Sequence, residues 1–316
     1  MNFRQLEYIQ AIQKEGSISG AAKKLFISQS ALSQQLIKLE EEIGAPLFER
    51  GISPLRPTYL GEQYLAYVRR ILFEYEEANR LLQDLENSKK GRLVVGIPPN
   101  RSMQILPSLL PQFIAQYPDI ELIFREYKSF ELDEMILQGD IDFSIMVSPS
   151  QSPMISFTPL LKEEIFLAVP ENSPLHQKFQ NRPMDFNCCK DASFILMKKG
   201  HRLHSLAKEL FEAYGFEPHV LMETGNVDLA RKIVAEGTGV CFTSQMAAIL
   251  NPLHHPPIYY SIGEKGIFWD LGICYHKDKY ITWAMSLFFQ YVQREIEKNL
   301  IPYNKVLPGN KVFPMT

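Results

Sequence analysis

No run of about 18 uninterrupted apolar residues occurs in this 316-residue chain, which argues against a membrane span. The N-terminus lacks the apolar centre of a signal peptide. Cysteine is scarce: Cys188, Cys189, Cys241 and Cys274 show no metal-ligand spacing and suit a reducing cytoplasm. An excess of basic charge is missing too. The net charge is −3, and residues 1–60 hold seven basic side chains (Arg4, Lys14, Lys23, Lys24, Lys38, Arg50, Arg56) against six acidic ones. Any nucleic-acid reading must rest on where charges sit.

Catalytic signatures are also wanting. No Ser-His-Asp or paired-carboxylate arrangement falls on facing elements, which leaves no catalytic residue to name. Gly237-Thr238-Gly239 closes a helix and enters a strand, the reverse of a dinucleotide site, and a helix C-cap explains it better. His201-Arg202-Leu203-His204 and His254-His255 lie outside any Cys/His cluster, so neither metal nor cofactor is expected.

What is present begins at residues 17–61. Ser19 can cap a short helix over Ala21–Leu25, and Ser28 a second from Gln29 to about Glu42, with only Phe26-Ile27 between them. Leu32, Leu36, Leu39 and Ile43 form one apolar stripe on the second helix. Ser30, Ser33, Gln34, Ile37 and Lys38 point away from it. That face suits a DNA major groove: Gln and Ser offer donors and acceptors to base edges, Ile37 can meet a thymine methyl, and Lys38 can reach phosphate. An ordinary solvent-facing helix would also be polar there. Lys23, Lys24, Lys38, Arg50 and Arg56 flank the helix, whereas Glu40, Glu41 and Glu42 sit at its far end.

Thr58 can cap a long helix to about Asn87, in which Tyr64, Val68, Ile71, Tyr75, Ala78, Leu82 and Leu85 alternate spacings of four and three. Two such helices would pair; the alternative is a helix packed on its own domain. Lys89-Lys90-Gly91 ends it and begins a hinge. A chain this long exceeds one core, so two or three domains are expected. From Arg92 strands and helices alternate, the mark of a parallel α/β sheet. Ligands bind beyond the carboxyl ends of such strands, often at helix N-termini. Four hydrophilic turns occupy those places: Asn100-Arg101-Ser102, Lys128-Ser129, Lys198-Lys199-Gly200-His201 and Thr224-Gly225-Asn226. Arg101, Lys128 and the helix starts favour a small carboxylate or other anion. Ser102 and Ser129 would cap helices even without a ligand.

Phe3-Arg4-Gln5-Leu6, Gly16-Ser17, Ala21-Ala22, Ser28–Ser33, Leu39-Glu40, Gly44, Leu47–Arg50, Thr58 and Gly61 together resemble the LysR-type transcriptional regulators, with a weaker likeness to about residue 298. The family usually has Pro at Ser30, often Arg at Gln34, and Leu-Thr-Pro where this chain has Pro57-Thr58-Tyr59. The first two differences fall on or near the base-reading face, so the operator sequence does not carry over. The resemblance implies an α plus α/β fold: a winged helix-turn-helix over 1–57, a linker and dimerisation helix over 58–90, and a two-lobed periplasmic-binding-protein-like domain over 91–300. Lobe I would span about 91–161 and 267–300, and lobe II 162–266, with crossings near Pro159–Glu163 and Ser261–Phe268. Residues 301–316 read as a flexible tail.

DNA contacts are expected from Ser28, Gln29, Ser30, Ser33, Gln34, Ile37, Lys38, Arg50 and Arg56. Effector contacts are expected from Asn100, Arg101, Ser102, Lys128, Ser129, Gly200, His201, Thr224 and Asn226. The implied protein is a cytoplasmic, homo-oligomeric (dimeric or tetrameric) regulator of transcription. Its implied partners are a double-stranded operator, a small effector and RNA polymerase. Some members of this family use cysteines as redox sensors; two small side chains on a short helix is the plainer account of Cys188-Cys189. The rival functions are a solute-binding domain or an enzyme fused to a helix-turn-helix.

Overall fold

The structure is a computed structural model that describes residues 2–86, 90–147, 152–179, 184–296 and 298. The expected tail, 301–316, lies outside the described residues, as does Lys89. The chain divides into two compact units, Met1–Glu86 and Asn87–Thr316.

In the first unit, α1 (Phe3–Glu15) opens on a reciprocal cap: Asn2 Oδ1 accepts from Gln5 N at 3.0 Å, and Gln5 Oε1 accepts from Asn2 N at 2.7 Å. The cap of α2 (Ile18–Lys24) is Ser17, whose Oγ accepts from Gly20 N at 3.1 Å. The sequence suggested Ser19; Ser17 has the extended backbone a cap requires, and Ser19 is already helical. Ser28 caps α3 (Gln29–Ile43) through Ala31 N at 3.2 Å. Between α2 and α3, Phe26 turns left-handed at φ 55 with its ring 95% exposed.

The core joins Leu6, Ile9 and Ile12 of α1 to Ala21, Ala22, Leu32, Leu36 and Leu39. Leu65, Val68 and Leu72 of α4 (Tyr59–Glu86) complete it. The expected heptad seam is therefore split. Val68 packs inside its own unit, while Ile71, Tyr75, Ala78 and Leu82 are exposed; the side chain of Leu85 is outside the described residues. Packing of the helix on its own unit accounts for Leu65, Val68 and Leu72 and leaves Ile71, Tyr75, Ala78 and Leu82 uncovered. Thr58 Oγ1 accepts from Gly61 N at 2.9 Å and donates to Pro46 O at 2.8 Å, starting α4 hard against the preceding loop. A Cβ on Gly61 would sit 1.9 Å from Leu47 O.

In the second unit a seven-stranded sheet runs β2-β1-β3-β9-β4-β7, with β8 also beside β4. The strands are β1 (Gly91–Ile97), β2 (Ile120–Glu126), β3 (Phe143–Val147), β4 (Ile155–Val169), β7 (Cys241–Ser244), β8 (Ile258–Ser261) and β9 (Ile267–His276). A two-stranded parallel sheet pairs β5 (Ser193–Met197) with β6 (His219–Thr224). The expected parallel sheet is corrected to a mixed one. β1 lies parallel to β2 and β3, but β9 and β4 run antiparallel to their neighbours, because the chain leaves one lobe along β4 and returns along β9. Gly91 belongs to β1, opposite Ile120, and is not part of a hinge.

Two cores flank this strand pair. Lobe I packs α5 (Pro99–Gln116) and α11 (Trp283–Glu295) on one face of β1, β3 and β9, through Ile105, Leu109, Phe113, Phe288 and Tyr291. On the other face α6 (Ser129–Gln138) seats Leu132 and Ile136. Lobe II packs α7 (Pro174–Phe179), α8 (Arg202–Tyr214), α9 (Val227–Ala235) and α10 (Gln245–Leu250) around Phe166, Phe186, Phe194, Phe211 and Phe242. The first crossing shifts register between Pro159 and Leu161, opposite Gly272 and Leu271. A Cβ on Gly272 would meet Phe157 and Thr158 O at 2.4 Å, so the two crossing strands touch backbone to backbone there.

Candidate functional site

The outer face of α3 carries Gln29, Ser30, Gln34, Ile37 and Lys38 exposed, with Ser33 half-buried and Ser28 exposed at its cap. An antiparallel bridge between Phe48 and Pro57 forms the wing base, and Glu49 N donates to Arg56 O at 2.9 Å, leaving the Arg56 side chain in solvent. Arg50 is exposed but engaged: its Nη2 lies 3.2 Å from Glu40 Oε2. Glu40 is buried, and its other oxygen accepts from Leu47 N (2.7 Å) and Phe48 N (3.3 Å), so it pins the loop after α3. Lys24 likewise pairs with Glu15 at 2.9 Å. Both cations are themselves exposed, and ion pairs of exposed cations carry little energetic weight, so each stays available to a stronger anion.

The second candidate lies between the lobes, in a cavity of about 210 Å³. Asn100, Arg101, Lys128, Ser129, Gly200 and His201 line it, as the strand-end argument expected. Ser102, Thr224 and Asn226 do not. The Ser102 hydroxyl is turned to the Glu126 carboxylate and to Pro99 O (2.8 Å). Thr224 Oγ1 accepts from Asn226 N at 3.1 Å, and Asn226 Oδ1 caps α9 through Asp228 N and Leu229 N. Nor are Ser102 and Ser129 caps: α5 begins at Pro99 after Pro98, and α6 at Ser129 after Lys128, so both serines are already helical.

Arg101 requires a correction of a different kind. Its guanidinium, expected to draw an anion, is buried and ion-paired with Glu163, with Nη1 on Gln104 Oε1 (3.1 Å) and Met246 Sδ (3.3 Å). The same Glu163 oxygen accepts from Trp269 Nε1, and the other from Met246 N at 3.2 Å. Glu163 sits on β4 and Trp269 on β9, so this network lies where the chain crosses between lobes. The positive charge of Arg101 is already cancelled there.

Across the cavity mouth His201 Nε2 is 2.9 Å from the Asn100 side-chain amide. Leu203 N donates to His201 Nδ1 at 3.3 Å, so the ring proton resides on Nε2 and meets the amide oxygen when Asn100 is oriented to match. Burial, with Arg101 and His204 nearby, pushes His201 down to about 4, and the ring is neutral at pH 7.

Sequence reasoning missed Glu163 and Trp269. Glu163 had a signal: Leu161, Glu163 and Ile165 alternate along β4 and all three are buried, so a carboxylate shares an apolar face. Trp269 carried none, because only the tertiary fold brings β9 to it. Among the cysteines, burial pushes Cys189, Cys241 and Cys274 up to about 12, which keeps these thiols protonated and unreactive.

A helix-turn-helix unit followed in one chain by a two-lobed ligand-binding fold defines a ligand-responsive transcription regulator, not an enzyme. Residues 3–62 match the model described as "Bacterial regulatory helix-turn-helix protein, lysR family", and residues 86–297 match "LysR substrate binding domain". The chain belongs to the LysR family of transcriptional regulators. It is 26% identical over 326 residues to YcgK of Bacillus subtilis, an uncharacterized HTH-type transcriptional regulator, covering 98% of this chain and 99% of that protein. The transcriptional dual regulator GltC of the same organism is 27% identical over 272 residues, or 83% of this chain and 90% of GltC. A full-length cysteine variant of OxyR from Pseudomonas aeruginosa shares the fold with a TM-score of 0.69 at 23% identity, over 94% of this chain and 95% of that one. Full-length CbnR complexed with its target DNA does so with a TM-score of 0.59 at 23% identity, over 93% and 99%.

Proposed function

We propose that the protein binds a double-stranded operator as a cytoplasmic homo-oligomer and that a small anionic effector between its lobes modulates that binding. Residues 1–57 read DNA, 58–90 pair two copies, and 91–300 sense the effector. Ser28, Gln29, Ser30, Ser33, Gln34 and Ile37 face the bases, while Lys38, Arg50 and Arg56 hold phosphate; contact with RNA polymerase belongs to the same reading. The observation that carries it is the exposed polar face of α3 beside an exposed Arg56. CbnR, of the same fold, is solved with its target DNA. Among the described residues no helix is long and apolar enough to cross a membrane.

The effector contacts Asn100, Lys128, Ser129, Gly200 and His201. A ligand that prefers one lobe closure shifts the population of that closure, and only this differential affinity transmits a signal to the operator. Operator titrations test the reading. Gln34→Ala should lose about 1–3 kcal/mol of discrimination at one base pair. Arg56→Ala should weaken all sequences alike and lower the salt slope by about 0.9. An unchanged slope removes Arg56 from the phosphate set, and sequence-blind binding by the parent protein removes the regulator reading.

A further inference from the structure

Three lysines line the inter-lobe cavity together with Arg202. Lys128 comes from lobe I, Lys198 and Lys199 from lobe II, and no aspartate or glutamate is among the residues lining the cavity. None of the three has an ion-pair partner among the described residues. All three are exposed to solvent, unlike Arg101, whose buried charge is cancelled by Glu163.

The Lys128 stem also crosses the cleft. A Cβ on Gly200 would lie 3.4 Å from Lys128 Cδ, so the Lys128 stem reaches over to the opposite lobe and rests on the turn that carries Lys198 and Lys199. Gly200 stands at φ +91 with Phe130 Cε1 only 3.2 Å from that same position, which leaves no room for a side chain to separate them. Like charges brought together on one cleft repel. Val147, Leu203, Val227, Ala247 and Trp269 supply the apolar part of the wall, set among the polar groups of Asn100, Gln104, Ser129, His201 and Ser244.

We infer that the effector is a small dianion, its negative charge shared between Lys128 and the Lys198-Lys199 turn. This rests on the proposed reading of the cleft as the effector site. A dianion can engage Lys128 and the Lys198-Lys199 turn at once and so tie one lobe to the other, whereas a monoanion held on one side leaves the other cation unengaged. A dicarboxylate and a phosphate monoester both supply this chemistry.

Trp269 provides the readout. The chain has two tryptophans, so Trp283→Phe in the full-length protein leaves Trp269 as the sole fluorophore at the cavity. Phthalate, succinate, phenyl phosphate, benzoate and benzyl alcohol would be titrated against it, with thermal shifts of the parent protein as a second measure. At least one dianion should bind about tenfold or more tighter than benzoate, and benzyl alcohol should not bind. Phthalate or succinate ahead of phenyl phosphate assigns carboxylates, and the reverse order assigns a phosphate. Lys128→Met should weaken the preferred dianion by about tenfold or more and narrow its advantage over benzoate. Benzoate or benzyl alcohol binding as tightly as the dianions overturns the inference, as does the absence of any dianion binding at millimolar concentration. If operator affinity responds only to a neutral or singly charged compound, the regulator reading stands and the dianion falls. If a dianion binds in the cleft while operator affinity never changes with any ligand, the ligand class stands and the regulatory reading falls.

Discussion

Replacing Glu163 by glutamine isolates the network at the lobe crossing. Glu163 is fully buried; one oxygen receives Arg101 and Trp269 Nε1, and the other receives Met246 N at 3.2 Å. Glutamine keeps one acceptor oxygen and places an NH₂ at the other position. Whichever way the amide turns, it presents a donor to donors, either Met246 N or the Arg101–Trp269 pair. The charge of Arg101, 6% exposed, loses its partner as well. Removing one member of a buried pair costs about 3–5 kcal/mol, and an unsatisfied buried donor about 1–3 kcal/mol. The two terms overlap, so a total of about 4 kcal/mol is expected for Glu163→Gln. Urea unfolding followed by tryptophan fluorescence measures it, since both Trp269 and Trp283 belong to the second unit. Adding Arg101→Met removes the stranded charge and should recover about half of the loss, by the non-additivity expected of a pair in contact. A loss below about 1 kcal/mol in Glu163→Gln, or a double variant no more stable than the single one, refutes the account of a charge-compensated crossing.

His201 predicts a pH effect. Its folded value of about 4 lies below the ordinary 6.5, so between those limits the unfolded chain binds the extra proton. Stability should therefore fall as pH drops from 6.5 towards 4 and level off below, by at most about 3 kcal/mol and less for a ring that water partly reaches. His201→Gln should remove that slope from urea midpoints taken across the window, and an unchanged slope assigns it to other groups. Gly61→Ala, whose Cβ would strike Leu47 O, should destabilise the first unit by about 1–3 kcal/mol in thermal unfolding followed by circular dichroism; a neutral result means the loop before α4 yields freely. Ile71→Glu with Leu82→Glu, on the 42% and 60% exposed positions of α4, should abolish self-association in sedimentation, because buried charge at a helix seam is costly. An intact oligomer moves the interface off this helix.

The elements of both units were legible where local rules act alone. Ser28, Thr58 and the Leu32-Leu36-Leu39 stripe marked helix starts and a buried face by periodicity and capping chemistry. The strand ends at Ile97 and Glu126 marked the cleft, because ligand turns follow strand ends in α/β folds. What stayed hidden depended on long-range pairing. Arg101 reads as a free cation until β4 brings Glu163 to it, 62 residues later in the chain. The antiparallel run of β4 and β9 was unreadable because strand direction leaves no periodic trace. Ser102 illustrates a subtler limit: a serine after a strand looks like a cap, but Pro98 and Pro99 start the helix earlier, since proline suits its first turn.

The order in which the lobes can fold follows from the return of the chain along β9. Lobe I owes its core to both ends of the second unit: Tyr291 Oη donates to Leu109 O across 182 residues, and Ala284 stands 2.6 Å from where a Cβ on Gly91 would be. Lobe II draws its buried cluster from the continuous stretch Ile165–Ile262. On the ribosome the apolar faces of β1, β3 and α5 must wait, uncovered, while all of lobe II is made, for a time on the order of 5–20 s at ordinary rates of synthesis. Such non-local closure is slow and carries the loop-closure entropy of everything between. Lobe II, the inserted segment, is thus the part that can fold first, and a chain truncated before Phe288 would strand lobe I in an aggregation-prone form even though lobe II, with its contact surface for the cleft, had already formed.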